Sequence, residues 1–60
     1  MLLRTIETFL RENDMAPSRF GRDAGGDPRL VFELRKGRTL RPATEARLTA
    51  WMRDYREPVA

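Results

Sequence analysis

The sequence contains no histidine and no cysteine, so its polar chemistry is confined mainly to arginine, carboxylate and hydroxyl groups. The common zinc ligand sets and the usual imidazole base or thiol nucleophile are missing, and no disulfide framework can form. The carboxylates are scattered over positions where ordinary ion pairing accounts for them. A non-enzymatic chain with no metal, cofactor or small-molecule ligand is the expectation. Arginine dominates instead: of 12 basic residues all but Lys36 are arginine, set against 9 acidic ones for a net charge of +3. Between Ser18 and Arg41 the chain carries Arg19, Arg22, Arg29, Arg35, Lys36, Arg38 and Arg41 against only Asp23, Asp27 and Glu33. The remainder holds five cations against six carboxylates. Arginine's planar fork suits phosphate oxygens and guanine edges, so a basic middle between near-neutral ends points to a polyanionic partner. A solvated charged surface with no partner is the plain alternative.

Helices must position those cations. Leu2, Leu3, Ile6, Phe9 and Leu10 recur at helical spacing, and no comparable two-residue alternation occurs. A first helix is expected from Leu2 to Asn13. Ala16-Pro17 opens a second, with proline in a first turn where its missing N–H costs nothing; it runs to about Ala24, and Gly25 is expected to close it in the left-handed conformation. Asp27 can accept from the free N–H groups of a third helix, and Pro28 presets φ at its start. That helix should span Pro28 to Lys36, bury Val31 and Leu34, and end at Gly37. Beyond Pro42 a fourth runs to about Arg56 with Thr44, Leu48, Trp51, Met52 and Tyr55 along one side. The fold expected is all-α, a compact bundle of four short helices over residues 1–56, with Glu57-Pro58-Val59-Ala60 as a frayed tail. At 60 residues such a domain buries only about 60% of the surface its unfolded chain exposes. No apolar run approaches the ~18 residues of a membrane span, and no signal-peptide order is visible at the start. A cytoplasmic, nucleoid-associated location with no membrane partner is expected.

From Pro17 to Arg38 the chain resembles the helix-turn-helix of the lambda-type repressors and Cro proteins. The resemblance rests on Gly21 inside the first helix of the pair, Gly25 at the turn, Asp27-Pro28 at the restart, Val31 and Leu34 facing inward, and the Lys36-Gly37-Arg38 close. Thr39-Leu40-Arg41-Pro42 looks like the loop before the family's fourth helix, and the likeness extends over roughly Leu2 to Tyr55. Two departures stand out. Gly21 replaces the more usual alanine, which fits sterically but lowers helix propensity by ~1 kcal/mol. The fifth helix through which family members often dimerise is expected to be missing or merged with the fourth.

The resemblance implies a sequence-specific regulator of transcription, phage-derived or chromosomal, that reads double-stranded DNA with helix 28–36 in the major groove. Asp27, Pro28, Arg29, Phe32 and Glu33 would lie at base edges, with Arg29 forking to guanine. Glu33 would accept from a cytosine amino group or pair with Arg29 or Lys36 along the helix. Phe32 either packs on a thymine methyl or sugar, or fills a niche against the first helix. Leu30 is assigned to the junction with the fourth helix. Phosphate contacts would come from Ser18, Arg19, Lys36, Arg38, Thr39 and Arg41. Four or five such contacts correspond to a salt slope of roughly −4 per monomer. Trp51 is expected to close the core against Leu3, Ile6 and Leu10, whereas Met52 and Tyr55 are candidates, with Trp51, for a homodimer interface. Two other functions remain open: an architectural or recombination accessory protein of the excisionase kind, and a protein-interaction module that docks through the last helix.

Overall fold

The computed structural model describes residues 2–55. It is all-helical, with α1 at Leu2–Glu12, α2 at Pro17–Gly25, α3 at Leu30–Arg35 and α4 at Pro42–Asp54. The expected four-helix order is therefore present. Helix α1 ends one residue before Asn13, whose side-chain amide donates back to the Phe9 carbonyl at 2.9 Å. Asp14 then takes a left-handed φ of 49°, a conformation aspartate tolerates better than most residues, and the chain re-enters at Met15. Arg56 and the 57–60 tail lie outside the described residues.

The core is formed by Ile6 and Leu10 of α1, Phe20 and Ala24 of α2, Leu30 and Val31 of α3, and Leu48 of α4. Met15 and Leu40, both in connections, are buried as well and lie outside the expected core; neither sits inside a periodic pattern that would mark it. Aromatic rings close the end of the core. Phe20 meets Trp51 edge-on at 5.5 Å, and Phe9 meets Phe20, Trp51 and Tyr55 at 5.8, 5.9 and 5.3 Å, within the range where such pairs add about 0.5–1.5 kcal/mol beyond area burial. Trp51 is thus partly buried against the core that includes Ile6 and Leu10, with Phe9 and Phe20 as its ring partners.

Three expectations about the turn are corrected. Gly25 is the last residue of α2, and it is Gly26 that adopts the left-handed conformation, with φ 72°. The Gly26 N–H donates to the Arg22 carbonyl at 3.1 Å and the Asp27 N–H to the Gly21 carbonyl at 2.9 Å. Gly25 instead sits close to the core: a Cβ there would lie 2.8 Å from Leu30 Cδ2 and 3.4 Å from Leu48 Cδ2, so the tip of Leu30 would have to shift to admit one. The third helix is also shorter than 28–36, because Pro28 and Arg29 form the turn that leads into it. Asp27 is therefore not the N-cap expected of it: that position is Arg29, without a side-chain cap, and Asp27 instead braces the preceding turn, its Oδ1 accepting the Arg29 N–H at 2.9 Å while its carbonyl accepts from Leu30 at 3.1 Å.

A six-residue helix does not form alone, since nucleation outweighs so few backbone hydrogen bonds. Leu30 and Val31, exposed by 2% and 0%, supply the tertiary contribution, each worth roughly 1.5–3 kcal/mol of apolar burial. Helix α3 packs on α2 and on α1, and α2 packs also on α4. Its exit is equally defined: Gly37, with φ 101°, donates to the Leu34 carbonyl, and Arg38 donates to the Glu33 carbonyl, both at 3.0 Å. This paired pattern around a left-handed glycine is a Schellman close.

Gly21 is the tightest point of the structure. A Cβ placed on it would stand 2.3 Å from the Asp27 carbonyl oxygen and 3.3 Å from Leu30 Cβ, so alanine does not fit as the backbone stands. Helix propensity alone favours Gly21→Ala by about 1 kcal/mol. The contact with a backbone oxygen reverses the sign, and we expect the variant to be destabilised by about 1–3 kcal/mol in urea unfolding. A variant as stable as the parent would contradict this packing.

Candidate nucleic-acid interface

Successive helical residues turn by about 100°. Around α3 and its two flanking residues, Leu30, Val31 and Leu34 share the inward side, and Arg29, Phe32, Glu33 and Lys36 fall within a single outward arc of about 100°. The structure agrees: Leu30 and Val31 are buried, Leu34 is partly buried against the core, and Arg29, Phe32 and Lys36 are exposed. Of the residues expected at base edges, Arg29, Phe32 and Glu33 are therefore together on one outward face, with Asp27 and Pro28 in the turn immediately before it.

Phe32 is 44% exposed and is the one large exposed hydrophobic side chain among the described residues. It fills no niche against α1. Its ring is instead covered on one side by the Arg35 guanidinium, whose carbon lies 5.6 Å from the ring centre, a cation–π arrangement. Nothing local in the sequence assigns Arg35 a role. Its guanidinium forks onto Glu7 of α1 with two hydrogen bonds of 2.8 Å and so ties α3 to the first helix. Residues 28 apart in sequence give no local signal for such a pair. The bonds from Arg35 hold the Glu7 carboxyl below its ordinary value of 4.5, against a smaller opposing effect of desolvation, with the charges of Arg35 and Arg11 adding to the lowering. The same bonds raise the pKa of Arg35.

The remaining cations divide into paired and unpaired. Asp23 accepts from both Arg19, at 3.4 Å, and Arg22, at 3.3 Å. Arg38 reaches the carboxylates of both Asp27 and Glu33. Glu33 thus pairs with Arg38, rather than with Arg29 or Lys36. No ion pair among the described residues engages Arg29, Lys36 or Arg41. Arg41 is exposed at the residue preceding α4, where Pro42 takes the first helical position, and Thr39 is exposed in the same connection. Ser18 is exposed in the first turn of α2. All six residues expected at phosphates are thus at the surface, with Arg19 and Arg38 already held by carboxylates.

On the far side, Met52 and Phe9 line an open groove between α1 and α4 together with Thr8 and Thr49. Trp51, Met52 and Tyr55 are each partly buried against the core. No group of three or more acidic residues, among the described residues, is arranged to hold a metal ion, and no helix of the described residues is long and apolar enough to cross a membrane. The chain matches no protein-family model, and no curated protein or solved structure is significantly similar to it.

The Glu7–Arg35 pair has a pH consequence. A carboxyl whose folded pKa lies below its unfolded value stabilises the fold above the unfolded pKa, and that stabilisation is lost as pH falls through the folded value. Both side chains are solvent-accessible, so the increment is small. Parent and Glu7→Gln should differ in melting temperature at about pH 6 and converge as the pH is lowered below 4.5. A difference independent of pH would exclude ionic linkage as its source.

Proposed function

We propose that this chain binds double-stranded DNA, with the outward face of α3 entering the major groove, and that it acts as a sequence-specific regulator of the repressor and Cro kind. The observation that carries the reading is the face itself: Arg29 and Lys36 at its two ends and Arg41 beyond it are exposed without a carboxylate partner, and Phe32 is exposed between them. Hydrated arginine with no carboxylate partner beside an exposed aromatic is a useful surface against a duplex, where phosphates take the charge and apolar edges take the ring. The Gly21, Gly26 and Asp27 geometry supports it by fixing a short helix outward from the body.

Within this reading Arg29 forks to guanine O6 and N7, a contact worth about 1–3 kcal/mol of discrimination. Phe32 meets a thymine methyl or a sugar, with Arg35 holding the ring. Lys36, Thr39 and Arg41 on one side and Ser18 and Arg19 on the other set register through phosphates. With Arg19 and Arg38 held by carboxylates and Arg29 directed at guanine, Lys36 and Arg41 remain as full charges for phosphates, and the expected slope of log affinity against log salt is about −2 per monomer. A homodimer would place two reading helices ~34 Å apart on a near-palindromic site. The partly exposed Met52 and Tyr55 offer an apolar edge for that contact.

Selection from a random duplex pool tests the reading directly, since it reports binding, base preference and symmetry together. Arg29→Ala should flatten the preference at one position and leave the melting temperature unchanged. A selected motif identical to the parent's removes Arg29 from base reading, and no enrichment at low ionic strength removes DNA binding altogether.

A further inference from the structure

Two of the five residues at the expected base edges are acidic, and a duplex repels them. The major groove is lined mostly by acceptors, with only the amino groups of cytosine and adenine to satisfy a carboxylate. The arrangement of Arg38 answers this. Its Nη1 contacts Asp27 Oδ2 at 3.4 Å and also Glu33 Oε1, so one guanidinium serves the carboxylate in the turn before α3 and the one in the middle of its outward face. We propose that Arg38 is a positioning residue for DNA binding: it offsets part of the negative charge of the two acidic side chains of the reading face and draws them together, and is not itself a phosphate contact. The proposal rests on the DNA-binding reading above.

The backbone dictates the placement. In a Schellman close the residue after the left-handed glycine lies over the residue three positions before the helix cap, and an apolar contact usually joins them. Here those residues are Arg38 and Glu33, joined through the Arg38 N–H to Glu33 carbonyl bond at 3.0 Å, and an ion pair stands where the apolar contact would be. Asp27 is held separately, since its other oxygen, Oδ1, is engaged by the Arg29 N–H at 2.9 Å. The cluster thus draws on residues at both ends of α3. Its members are about 40–45% exposed, and ion pairs that exposed contribute little to stability. Their effect is felt when a duplex excludes water from the face and strengthens both the pairing and the repulsion.

A double-mutant cycle separates this role from a phosphate contact. Dissociation constants against the selected duplex, at fixed salt, are measured for the parent, Arg38→Gln, the Asp27→Asn/Glu33→Gln pair and the triple variant. The Asp27→Asn change retains a side-chain oxygen to accept the Arg29 N–H, and melting curves should show all four folded. Arg38→Gln alone should weaken binding about tenfold or more; in the background lacking both carboxylates the same change should cost less than about threefold. Arg38→Lys, which keeps the charge, should retain most of the affinity. Equal losses in both backgrounds, or no loss in the parent, overturn the role given to Arg38 while leaving DNA binding intact. A parent that forms no complex with any duplex overturns the DNA-binding reading and this inference with it.

Discussion

The approach of the Asp27 carbonyl to the Cα of Gly21 is the constraint on which the rest of the structure depends. A side chain at that point would stand 2.3 Å from the oxygen, so the turn can lie on α2 only because residue 21 has none. The Asp27 N–H to Gly21 carbonyl bond at 2.9 Å fastens the same two segments from the backbone side. With the turn laid flat on α2, Leu30 falls against Gly25 and Leu48 and Val31 is carried into the core. The outward direction of Arg29, Phe32 and Lys36 is then no longer free. Substitution by a larger residue would lift the turn, withdraw Leu30 from its seat and tilt the outward face, so packing and candidate surface share one origin.

Periodicity and capping chemistry made most of the fold legible. Leu2 to Leu10 marks α1, Pro17 and Pro42 mark two helix starts, and Gly37 marks a helix end, because each depends on residues a few positions apart. The misreadings have the same physical cause. Choosing between Gly25 and Gly26 for the left-handed position needs the point at which the chain turns back onto α2, set by the Asp27 N–H to Gly21 carbonyl bond, and local sequence does not report it. Gly21 reads locally as a mere weakening of α2, whereas its necessity comes from a carbonyl six residues later. Met15 and Leu40 are buried from connections, where no period reports burial. The candidate face was legible as a set of residues on one helical arc. Its pairing was not, since Arg35 meets a carboxylate 28 positions away and Arg38 selects among several nearby acids.

That pairing changes how the basic composition should be understood. A sequence count gives seven cations between Ser18 and Arg41, and the structure shows that Arg19, Arg22, Arg35 and Arg38 are each in contact with a carboxylate. A count of cations in this stretch therefore overstates what it offers a polyanion: within it Arg29, Lys36 and Arg41 are the ones unpaired among the described residues, and Arg4, Arg11 and Arg47, elsewhere on the surface, are in no ion pair either. Arg29 and Lys36 bracket the outward face of α3, and Arg41 follows the loop that leaves it. A partner attracted by long-range charge would meet a much smaller number of free cations at close range, a separation of roles that favours orientation over bulk attraction.

Helix α3 is too short to be held by its own hydrogen bonds, and its rigidity is borrowed from four attachments of different kinds. Asp27 braces the turn that leads into it, Gly37 closes its end, Leu30 and Val31 anchor it in the core, and Arg35 forks onto Glu7. The last of these acts on the same side chain that covers the Phe32 ring. One guanidinium thus connects the first helix to the exposed aromatic, limiting the rotamers Phe32 can visit without burying it. A side chain ordered before contact loses less entropy on binding. In this domain that advantage falls on the residue least comfortable in water, which ties the Glu7–Arg35 pair to the outward face even though Glu7 lies on a different helix.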